Sequence, residues 1–94
     1  MPQAPRHLFA YVRQPCEYRP SVTAIVLFGL SVEGKDEPPV YLEIRFTDYS
    51  RQQVEGDHLM LSLEEAIELA RSDYGIQADD WREMDQQEID QISW

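Results

Sequence analysis

Apolar residues recur at intervals of three and four in the stretch SLEEAIELARSDYGI, which covers residues 62–76. This spacing is typical of a helix with one buried side, here formed by Leu63, Ala66, Ile67, Ala70 and Tyr74. Ser62, followed three positions later by Glu65, predicts an N-terminal capping box, and Gly75 predicts a left-handed end. The sequence therefore predicts one main helix over about residues 63–74. Leu69 lies off the buried side, and we expect the chain after Gly75 to return and cover it.

Upstream of this helix the pattern changes to a period of two, which is typical of β-strands. Strands are predicted at about residues 7–13, 21–33, 40–48 and 57–61. In the third strand, the residues expected to face the core are Val40, Leu42, Ile44 and Phe46, and those expected to face outward are Tyr41, Glu43, Arg45 and Thr47. Because Ile25 and Leu27 make the second strand apolar on its other face as well, this strand is expected to be central.

These elements predict an α+β fold with an antiparallel sheet of three to four strands, one main helix packed on one face and a short helical C-terminal extension. Asp85, followed three residues later by Glu88, predicts a second capped helix within residues 77–94. The 94 residues are expected to form a single domain, with residues 1–5 as a loose lead-in. We expect Trp81 to pack in the core, whereas Trp94 could be a core or an interface residue.

The outward side of the predicted sheet is more apolar than a solvated surface should be. Its aromatic members are Phe9, Tyr11, Tyr41 and Tyr49. Either the C-terminal extension covers this side, or a second copy of the chain does. A homodimer through these aromatic residues is therefore one hypothesis.

Net charge is the strongest compositional feature. The chain carries −10 at pH 7, and residues 57–94 hold eleven acidic residues against Arg71 and Arg82. Such a surface repels phosphate backbones and anionic lipids, so neither nucleic acid nor membrane is expected as a ligand. It attracts basic proteins, and the candidate interaction surface consists of Glu64, Glu68, Asp79, Asp80 and Glu83. The alternative is that the acidity serves solubility alone.

Motifs for catalysis or cofactor binding are absent from the sequence. The glycines are isolated, and neither a phosphate-binding loop nor a serine-nucleophile or zinc-protease motif occurs. Cys16, the single cysteine, lies beside Glu17, which disfavours a reactive thiolate. Asp57 and His58 are neighbours in a predicted strand and should point to opposite faces, so they do not form a catalytic pair. We therefore expect a non-enzymatic protein without metal or cofactor.

A single cysteine excludes an internal disulfide, and the sequence shows neither an apolar signal segment nor a run long enough to cross a bilayer. A cytoplasmic location is the expectation.

Three functions remain open. The first, favoured by charge, is binding of a basic protein partner through the acidic C-terminal half. The second is a homo-oligomeric scaffold or accessory subunit joined through the aromatic sheet face. The third is small-molecule binding in a pocket between sheet and helix, lined by Tyr11, Tyr41 and His58.

Overall fold

The structure, a computed structural model, describes residues 5–31 and 39–92. Its elements are β1 (His7–Tyr11), β2 (Ala24–Leu30), β3 (Val40–Asp48), β4 (Gln53–Met60), α1 (Leu63–Tyr74), a 3-10 helix (Ala78–Asp80), β5 (Arg82–Glu83) and α2 (Gln86–Gln91). The strands form one antiparallel sheet in the order β4-β3-β2-β1-β5. The predicted α+β fold is confirmed. It has one strand more than expected, because the two-residue β5 is too short to leave a periodic pattern.

The main helix, α1, begins and ends where predicted. The Ser62 hydroxyl accepts a hydrogen bond from the Glu65 N–H at 3.1 Å, which satisfies one of the helix's free donors. In the described part of the chain, this is the only half of the predicted capping box that forms. Gly75 has a φ of 69°, and its N–H donates to the Arg71 carbonyl at 3.1 Å. Glycine adopts this left-handed conformation without steric cost.

Both faces of the sheet are covered, and α1 lies on the face that the strand pattern assigns to solvent. The apolar side of α1 shares one buried cluster with Ile25, Leu27 and Tyr41. The expectation that Tyr41, Glu43 and Arg45 face outward is therefore wrong, since their exposed fractions are 3%, 4% and 7%. Alternation along a strand separates two faces, but it does not say which of two apolar faces a helix will cover.

The opposite face of the sheet is covered by the C-terminal segment. A second buried cluster, which contains Phe9 and Phe46, includes Met84 and packs against Ile89 and Ile92. The expected core-facing side of β3 is thus buried, but beneath α2 and its flanking residues rather than beneath α1.

Polar contacts at the start of α2 hold it in place. The predicted capping box is confirmed: the Asp85 carboxylate accepts from the Glu88 N–H at 2.9 Å, and the Glu88 carboxylate accepts from the Asp85 N–H at 3.2 Å. Two nitrogens of Arg82 donate to Glu88 at 2.8 Å each, and the Tyr49 hydroxyl donates to it at 3.0 Å. These contacts, above all the hydrogen bonds from Arg82, lower the pKa of Glu88 to about 2.

The four aromatic residues of the predicted oligomer face do not form one surface. Phe9 is opposite Val26 in the strand register and Tyr41 is opposite Gly29, so the two aromatic side chains lie on opposite faces of the sheet. Phe9 and Tyr41 are 2% and 3% exposed. Tyr49 packs on Phe9 with ring centroids 4.4 Å apart, whereas Tyr11 is 66% exposed. The C-terminal segment therefore covers the side that carries Phe9.

Several sequence predictions fall outside the described residues. These are the end of the predicted second strand, most of the loop over residues 34–39, the first four residues of the lead-in, and Trp94. Trp81 is half-buried and packs against the cluster beneath α1, with its indole N–H lacking a hydrogen-bond partner. Within residues 5–31 and 39–92, no helix has the length and apolarity needed to cross a membrane.

Candidate functional site

All seven arginines in the described part of the chain form ion pairs with carboxylates of the same chain. The pairs are Arg6–Glu83, Arg13–Asp80, Arg19–Glu55, Arg45–Glu43, Arg45–Glu55, Arg51–Asp48, Arg71–Glu68 and Arg82–Glu88. The exposed pairs among them add little to stability. Their consequence is electrostatic, because no arginine among these residues offers an unmatched positive charge to a ligand.

Eight carboxylates of the described residues are left without an ion pair. They are Glu17, Asp57, Glu64, Glu65, Asp73, Asp79, Asp85 and Asp90. All but Glu17 belong to the C-terminal half. The negative charge of that half is thus carried by side chains that lack an internal cation.

The five residues of the predicted interaction surface divide into two groups. Glu68, Asp80 and Glu83 each pair with an arginine. The Asp80 carboxylate accepts from Arg13 at 2.6 and 2.7 Å and is only 15% exposed. Through these pairs, Asp80 and Glu83 attach the C-terminal segment to residues flanking β1. Glu64 and Asp79, by contrast, are exposed and unpaired.

A polar cleft of about 280 Å³ opens between α1 and the β3–β4 side of the sheet. Its lining residues are Arg19, Glu43, Arg45, Asp57, His58, Leu69, Asp73 and Tyr74. We call this the acidic cleft. Its buried members, Glu43, Arg45 and Tyr74, form the floor, and its exposed and half-buried members form the rim.

The acidic cleft differs from the pocket expected from the sequence. Of Tyr11, Tyr41 and His58, only His58 lines it. Tyr41 is buried nearer to β1, where its hydroxyl accepts from the Arg6 backbone N–H at 3.0 Å. Tyr11 lies on the other face of the sheet, edge-on to Phe9.

An ion-pair network runs from the floor of the acidic cleft towards its rim. Glu43 and Arg45 are two residues apart on β3 and therefore share a face, and Arg45 Nη1 donates to Glu43 Oε1 at 3.3 Å. Arg45 Nε donates to Glu55 Oε1 at 3.0 Å, and Arg19 Nη1 donates to Glu55 Oε2 at 2.9 Å. Glu55 therefore bridges both arginines and fixes the side chain on which Glu43 depends.

Two local features of β4 make room for this network. Arg45 is opposite Gly56 and Phe46 is opposite Val54, so Glu55 is an extra residue in β4. A bulge of this kind redirects a side chain, and here the Glu55 carboxylate reaches Arg45. At Gly56, a Cβ would lie 2.8 Å from Arg45 Nη2, so only glycine lets the guanidinium approach the strand this closely.

The second oxygen of the Glu43 carboxylate has no hydrogen-bond partner. This atom, Oε2, is buried, and the Glu43 side chain as a whole is 5% exposed. Burial raises the pKa of Glu43 above its ordinary value, although the hydrogen bond from Arg45 acts in the opposite direction. Because buried polar atoms are nearly always hydrogen-bonded, an unpartnered carboxylate oxygen beside a cleft marks a place where a ligand's donor would fit.

The rim of the acidic cleft carries acidic residues and an exposed leucine. Leu69 and Asp73 lie one turn apart on the flank of α1 that borders the cleft, and Glu65 lies one turn further along the same flank. Leu69 is 38% exposed. The expectation that the chain after Gly75 covers Leu69 is therefore wrong, because that flank of the helix opens onto the cleft.

Tyr74 closes the floor at the end of α1. It is 1% exposed, and burial, together with the charge of Glu43, raises the pKa of Tyr74 to about 12. Its hydroxyl therefore stays neutral at physiological pH. Cys16 is buried in the same cluster at 6% exposure, a setting in which a thiol is unreactive.

Asp57 and His58 point in opposite directions, as the strand pattern predicts. Their register partners are Ile44 and Glu43, which lie on different faces of the sheet. Among the residues that the structure describes, no group of three His, Cys, Asp or Glu side chains is arranged to hold a metal ion.

Comparison with known proteins returns no match: no protein-family model, no curated protein and no solved structure is significantly similar to this chain. Function is therefore argued from the acidic cleft and the charges around it.

Proposed function

We propose that this protein is a non-enzymatic interaction module that binds a basic protein partner, with the acidic cleft at the centre of the contact. One observation carries the proposal. Every arginine of the described residues is already paired within the chain, whereas Asp57, Glu65 and Asp73 around the cleft are not. A basic partner would therefore meet carboxylates without displacing an internal cation. Complementary charge of this kind raises association rates and selects against wrong partners.

An exposed leucine at the cleft, together with others at the end of the edge strand β4, supports a protein as the partner. Leu69 is 38% exposed, and Leu59 and Leu61, at the end of β4 and just beyond it, are 51% and 71% exposed. Protein interfaces combine such apolar contacts with a charged, solvated rim. A small inorganic cation would make no use of them.

The proposed contact lies on the flank of α1 that carries Glu65 and Asp73. At about 100° per residue, Glu64 and Glu68 fall on the other flank, and Glu68 is matched by Arg71. We therefore expect this second flank to contribute through its long-range field rather than through direct contact. The same field disfavours nucleic acids and anionic membranes as partners.

The proposal is tested by salt-dependent capture with charge-matched variants. The native chain is immobilised, a lysate of the source organism is passed over it at low salt, and bound proteins are eluted with a salt gradient and identified. We expect a basic protein that is released at moderate salt. The triple variant Asp57→Asn/Glu65→Gln/Asp73→Asn should bind this protein at least about tenfold more weakly, since roughly 1.4 kcal/mol corresponds to that factor.

The matched control is Glu64→Gln/Asp79→Asn/Asp90→Asn. It changes the net charge by the same three units at residues that also lack an ion pair and do not line the cleft. It should retain most of the binding. If both triple variants lost binding equally, the interaction would be unspecific attraction between net charges. Capture of an acidic protein, or of one that resists salt, would contradict the proposal.

A homodimer is a second candidate, favoured by the free edge of β4. Along this eight-residue strand the outer side has no neighbouring strand among the described residues, and Val54 and Leu59 are 47% and 51% exposed. Free edges pair with further strands unless charge prevents it, and here Asp57 opposes pairing. In sedimentation velocity, a salt-resistant dimer that Leu59→Lys abolishes would favour this candidate, whereas a monomer at all concentrations would exclude it. An oligomer through the aromatic residues is not proposed, because Phe9 and Tyr41 are buried within the chain.

A further inference from the structure

We propose that the acidic cleft receives one arginine side chain of the partner and that the free Oε2 of Glu43 is its anchor. This inference rests on the proposed function. It adds the chemical identity of the central contact, which is a guanidinium group rather than basic charge in general.

Glu43 is positioned as an anchor before any ligand arrives. Its Oε1 accepts from Arg45 at 3.3 Å, and Arg45 is in turn held by Glu55 at 3.0 Å. The carboxylate is therefore fixed, while its Oε2 stays buried and unpartnered. A fixed, desolvated acceptor forms stronger hydrogen bonds with a charged donor than an acceptor in water does.

The charge balance of the cleft selects a cation. Three carboxylates, from Glu43, Asp73 and the bridging Glu55, stand against the two guanidinium groups of the lining. Both of these guanidinium groups already face carboxylates. An anionic ligand would thus find no unmatched cation among the described residues, and it would meet the Asp73 carboxylate at the rim.

An arginine side chain fits this arrangement better than lysine does. The acceptors come from different elements, with Glu43 of β3 in the floor and Asp73 of α1 at the rim. A guanidinium carries five donors in a planar fork and is weakly hydrated, so it can serve several acceptors at a lower desolvation cost than an ammonium group. Leu69, which is 38% exposed, offers apolar surface to its methylene stem.

The test uses small probes with the full chain. N-acetyl-arginine methylamide, its uncharged isostere N-acetyl-citrulline methylamide and the lysine analogue are titrated at fixed ionic strength. The backbone amide resonances of residues 43, 57, 58 and 73 are followed by ¹H–¹⁵N NMR. We expect the arginine probe to shift these resonances, and the citrulline and lysine probes to bind roughly tenfold and roughly threefold more weakly. Glu43→Gln should weaken the arginine probe by about tenfold, whereas Asp79→Asn should leave it unchanged.

Absence of shifts at these residues with the arginine probe, or equal binding of arginine and citrulline probes to the native chain, would overturn the inference without any variant. Equal affinity of the native chain and a folded Glu43→Gln variant would overturn it as well. Lysine binding as strong as arginine binding would remove the guanidinium preference on which it depends. In each case the proposed function is judged separately. Salt-dependent capture, and its loss in the triple variant Asp57→Asn/Glu65→Gln/Asp73→Asn, do not require Glu43.

Discussion

Glu43 and Arg45 lie two residues apart on β3, joined through one carboxylate oxygen at 3.3 Å while the other oxygen stays unbonded. Burying two charges carries a desolvation penalty, and apolar residues of similar volume often stabilise a core equally well. Stability alone therefore does not account for this pair. The proposed arginine of a partner would account for it, because the pair then holds an acceptor ready for binding.

Removing the Glu43 charge is expected to leave stability at pH 7 unchanged or higher. Arg45→Met should lower it by about 3 kcal/mol, because it leaves the buried Glu43 carboxylate without a cation. Glu55 keeps its ion pair with Arg19 in that variant. Burial raises the folded-state pKa of Glu43 above 4.5. Its contribution to stability is thus fully present below the unfolded pKa and is lost as pH rises through the folded pKa. Urea unfolding of the native chain and Glu43→Gln across this window should show the decline only in the native chain. A loss at pH 7 as large as that of Arg45→Met would contradict this.

The opposite pH dependence is expected from Glu88. Its pKa falls from 4.5 to about 2, chiefly through Arg82, so its contribution is present above 4.5 and is lost as pH falls towards 2. Because the Arg82 side chain is 52% exposed, we expect Glu88→Gln to cost only about 1–2 kcal/mol at pH 7. Urea unfolding should show that this difference shrinks below about pH 4. The control is Asp90→Asn, at an exposed position on the same helix, which should change the free energy of unfolding little. If the difference between the native chain and Glu88→Gln did not depend on pH, the lowered pKa of Glu88 would be refuted.

Two glycines are expected to differ in their tolerance of alanine. A Cβ at Gly29 would lie 2.6 Å from the Arg6 carbonyl oxygen, which also accepts from the Gly29 N–H at 2.9 Å. At Gly56 the clash is with the Arg45 side chain, which can yield more easily than backbone. Gly29→Ala should therefore cost about 3 kcal/mol and Gly56→Ala about 1 kcal/mol, as measured by urea unfolding. A larger loss of stability in Gly56→Ala than in Gly29→Ala would contradict the expectation that the Arg45 side chain moves aside.

Phe9 and Tyr11 provide a matched test of whether the aromatic residues serve the core or an interface. Phe9 is 2% exposed and Tyr11 66%. Phe9→Ala should destabilise by about 3–5 kcal/mol, and Tyr11→Ala by less than about 0.5 kcal/mol. Sedimentation velocity should detect no change of oligomeric state in Tyr11→Ala. If Tyr11→Ala altered the oligomeric state, the aromatic residues would instead form a contact between subunits.

Local signals in the sequence located most of the fold. Caps and glycine ends depend on neighbouring residues, which is why Ser62 and Gly75 delimit α1 and Asp85 begins α2 where predicted. The sequence pattern does not predict the first part of β4, because that part is polar and an edge strand with exposed sides needs no alternation. The face covered by α1 was assigned wrongly, because both faces of β2 are apolar and the choice between them is made by tertiary packing.

The floor of the acidic cleft could not be predicted in the same way. A charged pair on alternate positions of a strand usually faces solvent, so the sequence pattern predicts an exposed Glu43 and Arg45. Their burial depends on α1 packing over that face and on the bulge at Glu55, both of which are long-range features. One signal was present in the sequence: Leu69, the apolar residue off the buried side of α1, borders the cleft.

The most direct measurement is the pKa of the Glu43 side chain, followed through its carboxyl carbon by ¹³C NMR with and without N-acetyl-arginine methylamide. In the free chain we expect Glu43 to titrate above 4.5, because burial raises its pKa. A bound guanidinium favours the charged carboxylate, so the probe should lower this pKa, and the citrulline isostere should not. If the pKa of Glu43 is unchanged at saturating arginine probe, the acidic cleft does not anchor an arginine through Glu43.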